Sequence, residues 1–251
     1  MKYVLTAVLL ASAGRSSAAG SREMHADWAY VLTHYVNAEH RVNYAALKAH
    51  RDPLDRFTAA LAGPWPAMPP AARKAALINA YNALTVRWIL DNYPVESIWR
   101  TKKPFTQARH VVDGRTVSLD DIEGELRKMD PRVHAALVCA ARSCPPLRLE
   151  PYLPDAVDRQ LDDNFRRWLS MQDRNRFDTG RGVASISKIF DWYKADFGSL
   201  GGVPTVLARY SPAFRAGMKI DYLPYHWGLN DSSPLGSGYS EWKFLRDKVL
   251  N

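Results

Sequence analysis

The chain has 251 residues, 47% of them hydrophobic and eight of them tryptophan, which is enough to bury the core of one domain. Its formal net charge is +8, but the basic residues are scattered rather than gathered in a stripe with interleaved aromatics, and nucleic-acid binding is not expected. No run after the N-terminal segment reaches the length of a membrane-spanning helix, so no integral membrane association is expected.

The N-terminal segment is typical of a secretory signal peptide. Lys2 supplies a positive charge, residues 3–11 form a short apolar run, and residues 12–20 are rich in small side chains. We therefore expect residues 1–19 to be removed during export to the periplasm or the medium. Residues 20–251 would then form a single domain.

The remaining sequence mixes helical periodicity with short strand-like runs. In chain order it first predicts helices over residues 21–35, 44–62 (broken at Pro53) and 71–92. A hairpin turning at Asp113-Gly114, a helix capped by Ser118 and a buried strand over 133–138 follow. The rest of the chain predicts a helix over 155–171, a strand over 183–186, helices over 187–197 and 205–210, and a strand over 220–223. The fold class expected from this mixture is α+β, a helix-rich single domain around a small β-sheet.

The two cysteines, Cys139 and Cys144, allow two interpretations. In an exported protein such a pair favours a disulfide, although a loop this short brings little entropic stabilisation. A catalytic thiol would instead need a nearby base or cation, and His134 is the only imidazole close in sequence. The spacing lacks the close cysteine pair of structural zinc sites, so neither a metal nor a cofactor is expected.

Three polar residues outside this segment are further candidates. Asn79 and Asn82 lie on one face of the apolar helix over residues 71–92, where they either fix the packing through backbone hydrogen bonds or orient a reacting group. Glu123 lies in an acidic first helical turn that capping explains, but it could also orient His134 as the third member of a triad. We expect His134 and at least one cysteine to line the same cleft, with Asn79 or Asn82 nearby.

Aromatic and histidine side chains form two further sets. Most of the aromatics should pack in the core, while some could line a cleft for a sugar or a peptide; they are Trp192, Tyr193, Tyr222, Tyr225 and Trp227. Five histidines are expected at the surface, namely His25, His34, His40, His50 and His110.

Six segments together resemble one protein family. They are HRVNYAALK (40–48), ALINAYNALTVRWILDNYP (76–94), VDGRTVSLDDIE (112–123), DPRVHAALVCAARSCPPLR (130–148), ISKIFDWYKADFG (186–198) and DYLPYHWGLND (221–231). Over nearly all of the mature chain the sequence is similar to the domain of unknown function 547 (DUF547) family. The resemblance implies no agreed activity, and only by analogy does it point to a papain- or transglutaminase-like fold. Gly124 and His226 stand where the family often has His and Asp.

Two functions from different classes fit these residues. The first is a cysteine-dependent hydrolase or acyl transferase of the cell envelope, with Cys139 or Cys144 as nucleophile, His134 as base, and Asn79 or Asn82 as orienting group. The alternative is a non-catalytic module that binds a small molecule or a peptide and is closed by a Cys139–Cys144 disulfide. The sequence leaves the substrate and the oligomeric state open.

Overall fold

The computed structural model describes residues 25–251, so the predicted signal peptide lies outside the described residues. Nine α-helices and five strands follow one another in this part of the chain. The helices are α1 (Ala26–Tyr35), α2 (Tyr44–Ala49), α3 (Asp52–Ala60), α4 (Pro70–Asn92), α5 (Leu119–Met129), α6 (Val157–Ser170), α7 (Ile189–Trp192), α8 (Val203–Tyr210) and α9 (Glu241–Val249). The strands are β1 (His110–Val112), β2 (Arg115–Val117), β3 (Arg176–Asp178), β4 (Val183–Ile186) and β5 (Lys219–Tyr222).

Helix α4 is the central helix, as its apolar sequence predicts. Proline at its first positions fits the start of a helix because the missing N–H would have no partner there. The backbone turns extended at Tyr93, ahead of Pro94, and this ends the helix. Along its middle, residues 75–86 are all buried, so α4 is covered by other elements on every side.

The predicted hairpin and the helix after it are confirmed. Asp113 and Gly114 both have positive φ, 53° and 68°, which suits the tight turn between the antiparallel strands β1 and β2. Ser118 then caps α5 by accepting a hydrogen bond from the Asp121 N–H, while the Asp121 carboxylate accepts one from the Ser118 N–H. This reciprocal cap fixes where α5 starts, and α5 carries Glu123.

The second sheet has three strands in the order β3-β4-β5. Strand β3 pairs antiparallel with β4, and β5 pairs parallel with β4. The connection between the two parallel strands contains α7 and α8, since a parallel pair needs a crossover. Helices thus surround two small sheets, which confirms the helix-rich α+β class.

The predicted strand over residues 133–138 is wrong. Residues Pro131–Ala135 form a 3₁₀ helix, which Asp130 starts by accepting a hydrogen bond from the Arg132 N–H at 3.0 Å. A short apolar run does not distinguish a strand from a buried helical turn, and here the Asp-Pro start decides. The predicted helix over 187–197 is also divided, into α7 and a 3₁₀ helix at Asp196–Leu200.

Three of the histidines predicted at the surface are buried. The ring of His25 packs near that of Phe57, and His40 Nδ1 lies 2.9 Å from the carbonyl oxygen of Leu147. His110 faces inward from β1. Only His34 and His50 of that group are exposed.

The buried apolar side chains form two clusters. The larger one gathers around α4 and includes Cys144, and the smaller one gathers around α6, β4 and α8. Tyr225 packs against both clusters, so it marks the boundary between them. None of the described helices combines the length and the apolar character needed to cross a bilayer.

Candidate active site

A cleft of about 590 Å³ opens between the two clusters. Eight aromatic side chains line it, together with polar groups from α5, from the segment that follows α5, and from the chain near Lys103 and Lys248. The side chains that line it include Tyr81, Trp99, Phe105, Glu123, His134, Cys139, Trp192, Tyr193, Tyr225, Trp227 and Phe244. A mostly apolar concavity with a few polar groups is the usual form of a small-molecule site.

The two cysteines meet at the wall of this cleft. Cys139 lines the cleft, whereas Cys144 lies behind it and is 1% exposed. Their Sγ atoms are 2.7 Å apart, both residues are unlinked thiols, and the Tyr225 hydroxyl lies 3.4 Å from one sulfur and 3.3 Å from the other. The two sulfurs are therefore in direct contact, and only Cys139 can be reached from the cleft.

Backbone geometry makes Cys144 the better site for negative charge. Its Sγ accepts hydrogen bonds from the N–H groups of Cys139 at 3.1 Å and Ala141 at 3.3 Å. Ala140 between them has φ of +60°, and this left-handed residue directs both N–H groups toward the sulfur, like an anion-binding nest. Burial opposes ionisation, but the hydrogen bonds from Cys139, Tyr225 and the backbone lower the pKa of Cys144. The hydrogen bond with Cys144, together with burial, raises the pKa of Cys139 well above its ordinary value.

The segment that carries Tyr225 is fastened directly to the thiol loop. The Arg142 N–H donates to the Gly228 carbonyl at 2.8 Å, and the His226 N–H donates to Ser143 Oγ at 2.8 Å. Gly228 itself packs against the backbone of Gly236, where a Cβ atom would lie 1.9 Å from a carbonyl oxygen. Only glycine fits at position 228, and the close approach holds the Tyr225 hydroxyl over the sulfurs.

Glu123 faces the cleft from α5, and its hydrogen-bond partner is Tyr193 rather than His134, the partner that the triad alternative would require. The Tyr193 hydroxyl donates a hydrogen bond to its carboxylate. Burial raises the pKa of Glu123 above the ordinary value, and the hydrogen bond from Tyr193 offsets only part of that effect. A half-buried carboxyl group of this kind holds a proton more readily than a surface glutamate does.

His134 lines the same cleft, but it contacts Asp196 and Tyr193 and not the two sulfurs. Its Nε2 lies 2.8 Å from Asp196 Oδ2, and its ring stacks on Tyr193 with 4.1 Å between centroids. Arg127 binds the same Asp196 carboxylate at 2.6 Å. Burial lowers the pKa of His134 to about 4, so the imidazole is neutral near pH 7. Within residues 25–251, the structure shows no hydrogen bond between the His134 ring and the sulfur of Cys139 or Cys144.

The two asparagines of α4 bond the backbone of neighbouring segments. Asn79 donates to the Tyr152 carbonyl at 2.8 Å and accepts from the N–H of the same residue at 2.9 Å. Asn82 donates to the Ala136 carbonyl at 3.0 Å and accepts from the Val138 N–H at 2.9 Å. Neither lines the cleft. By this geometry Asn82 positions the segment that leads from His134 to Cys139.

The structure therefore brings Glu123, His134 and Cys139 to one cleft, with Cys144 directly behind; their catalytic roles stay predictions. Sequence reasoning missed Asp196, whose only signal was its place in the ISKIFDWYKADFG segment. Within residues 25–251 there is no cluster of three or more His, Cys, Asp or Glu side chains suited to a metal ion.

Comparison with known proteins confirms the family resemblance. Residues 66–169 match the model of the family described as "Protein of unknown function, DUF547". This stretch supplies Glu123, His134 and Cys139 to the cleft. No curated protein matches the chain, and no solved structure does. The analogy to papain- or transglutaminase-like folds thus stays a prediction.

Proposed function

We propose that this chain, a member of the DUF547 family, is an exported cysteine-dependent hydrolase or acyl transferase of the cell envelope. The observation that carries the proposal is the contact at 2.7 Å between Cys139 Sγ, on the wall of the cleft, and Cys144 Sγ behind it. Export is proposed from the apolar N-terminal run alone.

Cys139 is the nucleophile in this proposal because it is the sulfur that a ligand in the cleft can reach. A thiol must lose its proton to attack, and His134 makes no hydrogen bond to it. The acceptor is Cys144, which the hydrogen bonds to its sulfur favour as a thiolate. The two sulfurs thus share one proton, and attack by Cys139 moves that proton to Cys144.

The acyl-transfer step then balances with groups of the cleft. Cys139 Sγ forms a bond to the carbonyl carbon of an ester, amide or thioester, and the bond from that carbon to the leaving group breaks. Glu123, whose pKa is raised by burial, donates the proton that the leaving group needs. Water, or the hydroxyl or amine of an acceptor, next attacks the thioester and gives its proton to Glu123. The bond from the carbonyl carbon to Cys139 Sγ breaks, and Cys144 returns the shared proton to Cys139.

The walls of the cleft indicate the class of acyl donor. Trp192 and Trp227 stack with 5.7 Å between ring centroids, and Trp227 stacks on Phe244 at 5.1 Å. Flat apolar faces of this kind favour a small molecule or a peptide with an apolar or aromatic group.

The proposal is tested by trapping the thioester. Reduced protein is incubated with 4-nitrophenyl acetate or 4-nitrophenyl phenylacetate, quenched in acid, and digested for mass spectrometry. We expect one acyl group on the peptide that contains Cys139, and steady release of nitrophenol. The phenylacetate should react faster if the aromatic walls bind the acyl group.

Two variants sharpen the test. Cys139→Ala should lose both the acyl adduct and the nitrophenol release, while Cys144→Ala should keep the accessible thiol but acylate more slowly because the proton acceptor is gone. The control is Tyr30→Phe, an exposed ring outside the cleft, which should react like the unchanged chain. Equal rates in Cys139→Ala and the unchanged chain would sink the proposal.

The contact between the sulfurs also favours the second candidate, a binding module closed by a Cys139–Cys144 disulfide. The two are separated by iodoacetamide labelling of protein isolated without reductant. Labelling of Cys139 near neutral pH supports the enzyme. If both cysteines resist labelling until reductant is added, and the reduced chain then forms no thioester, the binding module is the better description.

A further inference from the structure

We infer that Cys139 and Cys144 form a reversible thiol–disulfide couple that exchanges electrons with small thiols and disulfides entering the aromatic cleft. In this exchange Cys139 is the sulfur that the partner attacks, and Cys144 is the sulfur that leaves. The inference stands on the arrangement of the two sulfurs and does not require acyl transfer.

The first support is the unequal access to the two sulfurs. Cys139 lines the cleft, and Cys144 is 1% exposed behind it, so a partner reaches only one of them. The Sγ atoms already lie 2.7 Å apart, so closing a bond between them needs only a small shift of the side chains. An exposed and a buried sulfur in contact are the elements of an exchange couple.

The second support is the environment that a departing Cys144 thiolate would meet. The N–H groups of Cys139 and Ala141 and the hydroxyl of Tyr225 already point at its sulfur, 3.1 to 3.3 Å away. Arg174, a side chain with 5% exposure, adds an attractive interaction between its positive charge and Cys144. A leaving thiolate stabilised in advance speeds exchange and makes the disulfide more oxidising, because the reduced form gains stability.

The chemistry balances with a low-molecular-weight disulfide RSSR as oxidant. Cys139 Sγ passes its proton to the Cys144 thiolate and attacks one sulfur of RSSR, which forms a Cys139–SR bond, breaks the S–S bond and releases RS⁻. This RS⁻ takes the proton from Cys144 and leaves as RSH, and the Cys144 thiolate then attacks Cys139 Sγ, which forms the intramolecular disulfide and releases a second RS⁻. The second RS⁻ takes a proton from the solvent, and two electrons pass from the pair to RSSR. The reverse reaction begins when RS⁻ attacks Cys139 Sγ and Cys144 leaves.

This couple would also set when the proposed acyl transfer can occur. In the disulfide form Cys139 has no thiol that can ionise to the attacking thiolate, so only the reduced chain would acylate. A failed acylation test leaves the couple intact, because its readout is the oxidation state of the cysteines and not turnover.

The experiment is a titration of the purified chain in buffers with different ratios of reduced to oxidised glutathione. Each sample is quenched in acid and alkylated with a maleimide reagent, and the two thiols are counted by mass. In the unchanged chain we expect a single transition from two alkylated cysteines to no alkylated cysteine as the buffer becomes more oxidising. In Cys144→Ala we expect a mixed disulfide between glutathione and Cys139 to be trapped. That variant separates the attacked sulfur from the leaving one.

Tyr225→Phe tests the role of the leaving group. Loss of one hydrogen bond to a charged sulfur should shift the glutathione equilibrium toward the disulfide by about tenfold, equal to about 30 mV. The control is Tyr30→Phe, where a similarly sized hydroxyl is removed from a ring that lies outside the cleft. Its equilibrium should match that of the unchanged chain.

Three results would overturn the inference. The first is a pair that stays fully reduced at every glutathione ratio, and the second is one that stays fully oxidised. The third is trapping of glutathione on Cys144 in a Cys139→Ala variant as fast as on Cys139 in Cys144→Ala, since the buried sulfur would then be equally accessible.

Discussion

Asp196 Oδ2 accepts a hydrogen bond from His134 Nε2 at 2.8 Å, across 62 residues of sequence. The same carboxylate binds Arg127, and this contact keeps the pKa of Asp196 below its ordinary value. A neutral imidazole that donates from Nε2 leaves Nδ1 as an acceptor. The pair therefore fixes both the position and the tautomer of His134 within the wall of the cleft.

Replacing Asp196 should mainly cost stability. In Asp196→Ala the buried imidazole loses its acceptor and Arg127 loses its partner, so we expect a loss of about 1–3 kcal/mol in the free energy of unfolding. Urea denaturation at pH 7 measures this. Asp191→Ala, which removes a partly exposed pair with Lys188, is the control and should change stability by about 0.5 kcal/mol or less. A normal melting temperature with lost turnover would instead make Asp196 part of the chemistry.

Asn82→Leu should destabilise the fold by about 3 kcal/mol, because the Ala136 carbonyl and the Val138 N–H would lose their partner inside the core. Thermal and urea denaturation measure the change. The matched control is Asn92→Ala at the end of α4, where a half-buried amide bonds only the Trp88 carbonyl. If Asn82→Leu kept its melting temperature but lost ligand binding or turnover, our structural interpretation of Asn82 would be wrong.

Acid should destabilise the chain as the pH falls below 6.5, because three buried histidines are neutral in the fold. Burial lowers the pKa of His25, His110 and His134 from 6.5 to about 4. Each then contributes stability that is full above pH 6.5 and is lost as the pH falls toward 4, because only the unfolded chain takes up the proton in that window. At pH 5 the loss should be on the order of 2 kcal/mol per histidine.

The variant that checks this pH dependence is His25→Leu. His25 is 2% exposed and its Nδ1 has no hydrogen-bond partner in the described structure, so an apolar side chain should be tolerated. Urea denaturation at pH 7 and pH 5 should show a smaller difference than in the unchanged chain. An unchanged difference would contradict the assignment of His25 as a titrating group.

Glu123→Gln should separate stability from activity. Because the folded pKa of Glu123 is raised, its contribution to stability is full below pH 4.5 and falls as the pH rises through the folded value. The amide removes that cost, so the melting temperature at pH 7 should rise. It cannot donate the acidic proton, so acyl transfer should fall by about a hundredfold. Turnover that stays unchanged would rule out Glu123 as the proton donor.

The exported form should begin near Gly20. Expression with the native N-terminus, followed by N-terminal sequencing of protein from the periplasm or medium, measures the cleavage site. A chain that remains in the cytoplasm with Met1 in place would end the export proposal. A change of Ala19, the residue before Gly20, to a bulky residue should block cleavage, whereas the same change at Glu23 should not.

Much of the helical structure was readable from the sequence. The interrupted helical pattern over residues 44–62 also predicts two helices, but it does not predict where the break between them lies. Pro53 lies in the first turn of α3, where proline fits, and the chain breaks just before it. Local signals such as the Ser118 cap and the Asp113-Gly114 turn were reliable because each acts over a few residues.

The site was less predictable because its contacts join distant segments. Cys139 and Cys144 are five residues apart, but Tyr225 reaches them from 86 and 81 residues away. The sequence offered Glu123 as one possible partner of His134, beside its place in the first turn of α5, and the structure pairs His134 with Asp196. No periodicity encodes which of two acidic groups approaches a buried ring, since packing of whole elements decides it.

The two sides of the cleft come from different parts of the chain. Residues 66–169 bring the thiol pair and Glu123, whereas Tyr193, Tyr225 and Trp227 follow that stretch. A fragment ending at residue 169 would carry both sulfurs and lack the hydroxyl that joins them. Swapping the segments beyond residue 169 between related chains would therefore exchange the part of the aromatic lining that contains Trp192, Tyr225 and Trp227 while the thiol pair and its backbone N–H donors stayed in place.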